Sequence, residues 1–140
     1  MCSLGFLNES LYLVTYVAPH DVVMLSHWLR HYRESIGVKS NRISVYIDAG
    51  RNATAAVGMR DAIGKSGALQ AHVILVNLTF TSKVLLDTIN RHVATLPPSA
   101  YLIWADIDEF YTFPCNMAEQ LAQHDIFCAG EQQNQPACTI

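Results

Sequence analysis

Four short runs rich in β-branched and aromatic residues alternate along this chain with segments of helical periodicity. The runs occupy residues 11–17, 42–47, 72–78 and 101–105. Residues of these types favour strands, and strands that alternate with helices are typical of a parallel sheet covered by helices. The sequence therefore predicts an α/β fold with a mostly parallel sheet flanked by helices.

The segment after the first run has the clearest helical pattern. Its apolar residues recur at spacings of three and four, which places them on one face of a helix. This stripe consists of Leu25, Trp28, Leu29, Tyr32 and Ile36. Gly37 follows at the position of a glycine that ends a helix. His27 and His31 lack the Glu of the H-E-x-x-H pattern, and we interpret them as a solvent-facing polar pair opposite the stripe.

Two more helices are predicted between the later strands. One covers residues 53–66, with Thr54 as its candidate cap. The other begins at Thr81 or Ser82 and ends before a pair of prolines, since proline cannot continue a helix. His92 lies on the apolar stripe of this helix, so we expect a hydrogen-bonded, partly buried histidine.

The composition fits one globular domain, residues 1–140. The chain is 51% hydrophobic and 15% charged, and its apolar runs are too short to cross a bilayer. A short helix at 116–123 and a short strand at 126–129 are predicted after the fourth run. No further helix follows to cover the sheet, so we expect an incomplete domain.

Charge is distributed unevenly along the chain. The formal net charge is −3, yet all nine Lys and Arg lie between Arg30 and Arg91, and the residues after them contain six Asp and Glu. This distribution argues against a nucleic-acid-binding surface. It also leaves the acidic residues near position 106 without a basic neighbour in sequence, a gap that a divalent cation would fill.

The segment "YLIWADIDEFYTFP", residues 101–114, carries three of these carboxylates directly after the fourth run. In an extended chain Asp106 and Asp108 would share one face, while Ile107 turns to the core. Ligands of open α/β sheets bind at the carboxyl ends of strands, and Mg²⁺ and Mn²⁺ prefer oxygen ligands. The pattern therefore predicts a site for a metal and its phosphate ligand. The alternative is an exposed acidic turn that caps the helix predicted near residue 116.

With these residues in view, the chain resembles the nucleotide-sugar glycosyltransferases of the GT-A fold, most of all glycosyltransferase family 92 and its family-2-like relatives. The D-x-D-E-F motif in the segment just quoted carries the resemblance, supported by "HWLRHYRESIGVKSNRISVYID". The resemblance implies a GT-A-like (Rossmann-like) fold, of which this chain would be the N-terminal, nucleotide-sugar-binding half. It further implies transfer of a sugar from a nucleotide diphosphate donor, UDP-linked rather than GDP-linked, to a hydroxyl of a glycan or glycoconjugate. For the full-length protein it suggests a membrane-anchored location in the Golgi or secretory pathway.

The same resemblance implies roles for individual residues. Asp108 would bind Mn²⁺ or Mg²⁺ that bridges the donor diphosphate, and Asp106 would reach the ribose or the water shell of the metal. Asp48, at the end of the second strand, would lie near the nucleobase or ribose. Tyr16 and Ala18, in the loop after the first strand, would cover the base. The stretch "AGRNAT" after the second strand departs from the family pattern at the nucleobase contacts.

The catalytic group of a transferase is harder to place. Glu131, just after the predicted strand at 126–129, is the one candidate for the base that deprotonates the acceptor. In the families that the chain resembles, the segment after the D-x-D motif supplies the acceptor floor and a further metal ligand. We therefore expect these 140 residues alone to bind a donor without transferring its sugar.

Two other functions remain open from sequence. One is a non-catalytic or degenerate module that binds a nucleotide sugar or a metal. The other is a carboxylate-metal phosphohydrolase. A phosphatase of the haloacid-dehalogenase type would carry its D-x-D motif on the first strand, followed by a small residue, whereas here the motif comes late and Glu109-Phe110 follow it.

Overall fold

A computed structural model describes residues 10–50, 52–65, 72–77 and 79–112, and its centre is a four-stranded sheet in which every pair of neighbours is parallel. The strands are β1 (Leu11–Val17), β2 (Ile43–Asp48), β3 (His72–Val76) and β4 (Tyr101–Trp104). The helices are α1 (Val22–Arg30), which continues into a π-helix (His31–Ile36), α2 (Ala53–Lys65) and α3 (Ser82–Val93). The fold is therefore a Rossmann-like α/β fold, as the sequence predicts.

Every strand begins and ends within two residues of its predicted bounds. The helix predicted at 116–123, the strand at 126–129 and the candidate base Glu131 lie outside the described residues. Within the described part of the chain, no helix combines the length and the apolar character that a membrane span requires.

The strand order is β3-β2-β1-β4, so β1 is paired on both sides. Val14, for example, pairs with Ser44 of β2 and with Trp104 of β4. The chain adds β2 and β3 on one side of β1 and then returns to add β4 on the other. In open α/β sheets the crevice at the carboxyl ends of the strands, where this order reverses, is the usual ligand site. That crevice lies here between the ends of β1 and β4.

The larger hydrophobic core lies on the face of the sheet that α1 and α2 cover. Alternate residues of each strand point into it, among them Leu13 and Val45. All five residues of the predicted stripe of α1 and the π-helix are buried in this core, and Trp28 and Tyr32 have no exposed surface. Burying a large apolar side chain contributes about 1.5–3 kcal/mol, so these two residues are major contributors to stability.

Gly37 ends the π-helix, as the sequence predicts. Its φ of 90° lies in the left-handed region, where a side chain would be strained. The next residue, Val38, donates its N–H to the carbonyl of Tyr32 at 2.9 Å. This closing turn fixes the C-terminal end of the helix next to Tyr32, whose side chain reaches the candidate site described below.

The other face of the sheet carries a smaller core, which α3 partly covers. It contains Val14, Tyr46 and Val76, with Val84 of α3 packed against them. The Tyr46 hydroxyl lies 3.0 Å from Nδ1 of His92, which is half-buried as predicted.

The N-terminal caps of α3 and α2 test two sequence predictions. Thr81 caps α3, since its hydroxyl accepts the N–H of Val84 at 3.1 Å. The predicted cap of α2 is wrong. The residue that accepts the N–H of Ala55, at 3.0 Å, is Asn52 through its Oδ1, while Thr54 lies within the first turn. Asn is among the best N-cap residues, and its side chain reaches the N–H three residues later.

We expect Asn52→Ala to lower the free energy of unfolding by about 1 kcal/mol, the usual cost of losing an N-cap side chain. Urea denaturation followed by circular dichroism measures this difference. The matched control is Thr54→Ala, which removes a hydroxyl inside the helix and should leave stability unchanged or slightly higher. A larger loss for Thr54→Ala than for Asn52→Ala would contradict the assignment of the cap.

Candidate functional site

The acidic segment leaves β4 at the carboxyl edge of the sheet and turns at once. Ala105 is fully buried and donates its N–H to the carbonyl of Val14 at 3.2 Å, which continues the ladder between β4 and β1. Glu109 then donates its N–H to the carbonyl of Asp106 at 3.0 Å. This bond closes a tight turn over residues 106–109, which we call the acidic turn.

The geometry of the acidic turn differs from the extended chain that the sequence suggested. Asp108 is a central residue of the turn, so strand alternation does not decide where its side chain points. Ile107 does pack against the larger core, as predicted. Asp106 and Asp108 are both exposed and close enough to interact electrostatically. Ile107 therefore fixes the turn while the two aspartates lie at its surface.

Glu109 has a structural role within the turn. Its Oε2 accepts the backbone N–H of Asp106 at 2.9 Å and the hydroxyl of Tyr111 at 2.9 Å. In contrast, neither the Asp106 carboxylate nor the Asp108 carboxylate has a hydrogen bond or ion pair with any described residue. Of the three clustered carboxylates, two are therefore available to a ligand.

Tyr32 and His31 of the π-helix hold the segment that follows the turn. The Tyr32 hydroxyl donates to the carbonyl of Glu109 at 3.2 Å and accepts the N–H of Tyr111 at 3.1 Å. Nε2 of His31 lies 2.7 Å from the carbonyl of Tyr111, and its ring meets that of Phe110 edge-on at 5.4 Å. These contacts attach the acidic turn to the core through the π-helix.

The interpretation of His27 and His31 as a solvent-facing pair is therefore wrong for one of them. His27 is exposed, but His31 is half-buried against Phe110 and Tyr111. The sequence pattern missed this because the segment that covers His31 comes 80 positions later in the chain.

The pKa of the Asp106 carboxyl is raised above its ordinary value. Partial burial is the main cause, and the negative charges of Glu109 and Asp108 add to it. Each cause disfavours the ionised form, since burial removes water and like charges repel. A cation bound at the turn would offset both, since an opposite charge nearby favours the ionised form.

Asp48, Tyr16 and Phe80 form a second group at the same edge of the sheet. Asp48 is the last residue of β2, nearly buried, and its Oδ1 accepts the N–H of Gly50 at 2.9 Å. Burial and the charge of Asp48 raise the pKa of the Tyr16 hydroxyl, so the two side chains are near each other. The Tyr16 ring lies 5.5 Å from that of Phe80, and its buried hydroxyl has no hydrogen-bond partner among the described residues. Phe80 was missed from sequence because it belongs to no recognisable motif. Its position directly before Thr81, the cap of α3, was the only feature that could have drawn attention to it.

Ala18, also expected at the site, follows β1 directly. Its N–H donates to Oδ2 of Asp21 at 2.9 Å, which fixes the turn that leads into α1. The side chain of Ala18 is small, so its contribution at this edge is space and backbone shape.

The register brings these groups to one edge of the sheet. Pairs such as Val17 with Ile47 and Val14 with Trp104 align the carboxyl ends of β1, β2 and β4. The described residues at the ends of these three strands and in the loops directly after them include five carboxylates: Asp21, Asp48, Asp106, Asp108 and Glu109. These carboxylates make the described part of this edge suited to a cation.

A metal bound here would not find a complete set of protein ligands among the described residues. No group of three or more His, Cys, Asp or Glu side chains in the described ranges is arranged to hold an ion. Mg²⁺ is commonly held by one or two carboxylates, with water and phosphate oxygens completing its shell. Asp106 and Asp108 fit that kind of site.

Two cavities lined by described residues lie away from the acidic turn. One is on the α3 face near the amino ends of the strands, and the other lies between α1 and α2 near Ser26 and Ile63.

No family model, no curated protein and no solved structure matches this chain. What is established is a small α/β domain with a four-stranded parallel sheet.

We expect Tyr32→Phe to lower the free energy of unfolding by about 1–2 kcal/mol, because the Glu109 carbonyl and the Tyr111 N–H each lose a partner. Urea denaturation gives the loss, and hydrogen exchange should show faster exchange of the Tyr111 amide. Tyr16→Phe is the matched control, since it removes a hydroxyl with no partner among the described residues. Equal losses in the two variants would show that Tyr32 does not hold the turn.

A second prediction uses the raised pKa of Asp106. Because the folded pKa lies above the unfolded one, the folded state is penalised once the pH exceeds both values and not below them. Asp106→Asn should therefore raise the melting temperature by about 1–2 °C near pH 7 without metal, an effect typical of an exposed charge. The difference from the unmodified protein should shrink as the pH falls to about 4. A variant that melts lower than the unmodified protein at neutral pH would contradict the repulsion.

Proposed function

We propose that this chain is the donor-binding part of a metal-dependent glycosyltransferase with a GT-A-like sheet. The observation that carries the proposal is the position of the acidic turn. It follows β4 at the reversal of strand order beside β1, where α/β sheets bind ligands, and it presents two carboxylates that have no partner among the described residues. The D-x-D-E-F resemblance supplies the class of ligand, a nucleotide diphosphate sugar.

In this proposal Asp108 and Asp106 supply oxygen ligands to Mn²⁺ or Mg²⁺. When bound, the metal neutralises charge that develops on the departing diphosphate. Other residues of the chain fix the shape of the acidic turn in the absence of metal. Glu109, Tyr32 and His31 hold the turn through hydrogen bonds that use neither aspartate carboxylate.

The nucleoside of the donor is assigned to the group around Tyr16. The rings of Tyr16 and Phe80 offer an aromatic wall, and the unpartnered Tyr16 hydroxyl can hydrogen-bond to a base or ribose. Asp48 is an acceptor for a ribose hydroxyl, and Ala18 leaves room for the base. We propose a UDP-linked donor and a glycan or glycoconjugate acceptor, in a protein of the Golgi or secretory pathway. Glu131 stays a prediction for the catalytic base.

A non-catalytic nucleotide-sugar or metal-binding module is the second candidate. Both candidates bind Mn²⁺ and UDP. Only an assay that supplies a sugar donor and acceptors distinguishes them, because a transferase would form a product and the binding module would not. A phosphohydrolase would instead release inorganic phosphate from simple phosphate esters.

We expect Mn²⁺ to raise the melting temperature of the protein by about 3–6 °C at a concentration about ten times its Kd, and UDP to add to this shift, because ligands of the native state stabilise it. Asp108→Asn should remove the shift, since it keeps the shape of the side chain but not its charge. Differential scanning fluorimetry with a panel of nucleotide diphosphates, each with and without Mn²⁺, measures both effects.

Asp61→Asn is the matched control, because it makes the same change at an exposed position of α2. It should keep the full response to Mn²⁺. A shift that survives in Asp108→Asn would exclude Asp108 as a ligand, and a shift with Mn²⁺ that no nucleotide increases would contradict donor binding.

A further inference from the structure

A second candidate site lies at the opposite edge of the sheet. A cavity of about 420 Å³ opens on the α3 face, near the amino ends of β1, β2 and β3. Its volume is within the roughly 300–1,000 Å³ of small-molecule sites. We call it the amino-edge pocket and define it by its basic and aromatic side chains: Arg42, His72, Arg91, His92, Tyr12 and Tyr46. No Asp or Glu is among the described residues that line it.

The two arginines reach the pocket from different elements. Arg42 precedes β2, and its guanidinium lies 4.7 Å from the centre of the Tyr12 ring. Arg91 belongs to the last turn of α3, where its Nε donates to the carbonyl of Asp87 at 3.0 Å. That bond uses one of the five N–H groups of the guanidinium and holds the stem of the side chain along the helix. The guanidinium group of arginine is a fixed cation with several hydrogen-bond donors.

The two histidines are near each other in the same pocket. His72 is the first residue of β3, and its charge contributes to lowering the pKa of His92, after burial. The Tyr46 hydroxyl lies 3.0 Å from Nδ1 of His92. Nε2 of His92 is buried and has no hydrogen-bond partner among the described residues. A buried ring nitrogen without a partner costs free energy that a ligand can recover.

The end of α3 accounts for part of this arrangement but not for all of it. Basic side chains favour helix C-termini, which explains Arg91 and His92. The carbonyl of His92 already accepts both the N–H and the hydroxyl of Thr95, at 2.9 and 2.7 Å. His72 comes from the start of β3, so the helix end does not explain its presence in the pocket.

We propose that the amino-edge pocket binds a small phosphate monoester. A phosphate monoester carries a charge of about −1.5 to −2 at neutral pH and accepts hydrogen bonds through its oxygens, which suits the Arg91 guanidinium and the two histidine rings of the pocket. Arginine is suited to bidentate contacts with phosphate oxygens. Ile74, Leu96 and Pro97 line the same cavity and give an apolar wall for the organic part of the ligand. The pocket is at the edge opposite the acidic turn, so this proposal does not depend on the proposed transferase function.

Isothermal titration calorimetry at low ionic strength, without divalent metal, tests the proposal with inorganic phosphate and phenyl phosphate as probes. We expect saturable binding with one ligand per chain, and tighter binding of phenyl phosphate because of the apolar wall. Arg91→Gln should weaken both by at least about tenfold, the loss of one charge-assisted contact. Arg60→Gln is the matched control, since it removes the same charge from an exposed position on α2.

The outcomes are distinct. Three results together would support the site. Arg91→Gln loses phosphate binding, Arg60→Gln keeps it, and the imidazole resonances of His72 and His92 shift as ligand is added. Absence of saturable binding, or equal weakening in both arginine variants, would overturn it as non-specific charge attraction. Asp108→Asn should bind phenyl phosphate as the unmodified protein does. The two proposals can therefore fail independently. A protein that does not respond to Mn²⁺ could still bind phenyl phosphate in the amino-edge pocket, and a protein that does not bind phenyl phosphate could still respond to Mn²⁺.

Discussion

The parallel pairing of β1 with both β2 and β4 is the constraint on which the rest of the structure depends. Each ladder aligns the carboxyl ends of its strands, so the chain must return across the sheet after every strand. It returns through α1 and α2 on one face and through α3 on the other. The reversal leaves a crevice at the end of β1, and β4 delivers the acidic turn to it.

The same constraint separates charge along the strand direction. Because each helix runs back against the strands, helix N-termini lie at the carboxyl edge and C-termini at the amino edge. Carboxylates such as Asp21 lie at the first edge, and Lys65 and Arg91 end their helices at the second. Both placements complement the helix dipoles. The two edges thereby become suited to ligands of opposite charge, with a modest net charge overall.

The sequence was a good guide where local periodicity decides the structure, and a poor one where distant segments meet. The stripe that ends at Ile36 and the strand Leu11–Val17 could be predicted, because the spacing and type of their apolar residues match the positions that are buried in a helix or a strand. The burial of His31 depends on a segment 80 positions away, so no local pattern contains it. The cap of α2 was misplaced by two residues because Asn52 and Thr54 are both good caps, and only the observed bond distinguishes them. The amino-edge pocket could not be predicted, since its basic side chains come from three separate parts of the chain: the residue before β2, the start of β3 and the end of α3.

The crowding of three carboxylates into four positions has a structural explanation. Glu109 bonds within the turn and Tyr32 secures the segment after it, so the turn keeps its shape without using the other two. Asp106 and Asp108 are left as a pair whose mutual repulsion contributes to the raised pKa of Asp106. Two ionised carboxylates carry the charge that one divalent cation neutralises. The repulsion between these carboxylates slightly destabilises the metal-free protein. A bound cation would remove this repulsion, and the free energy gained would contribute to its affinity.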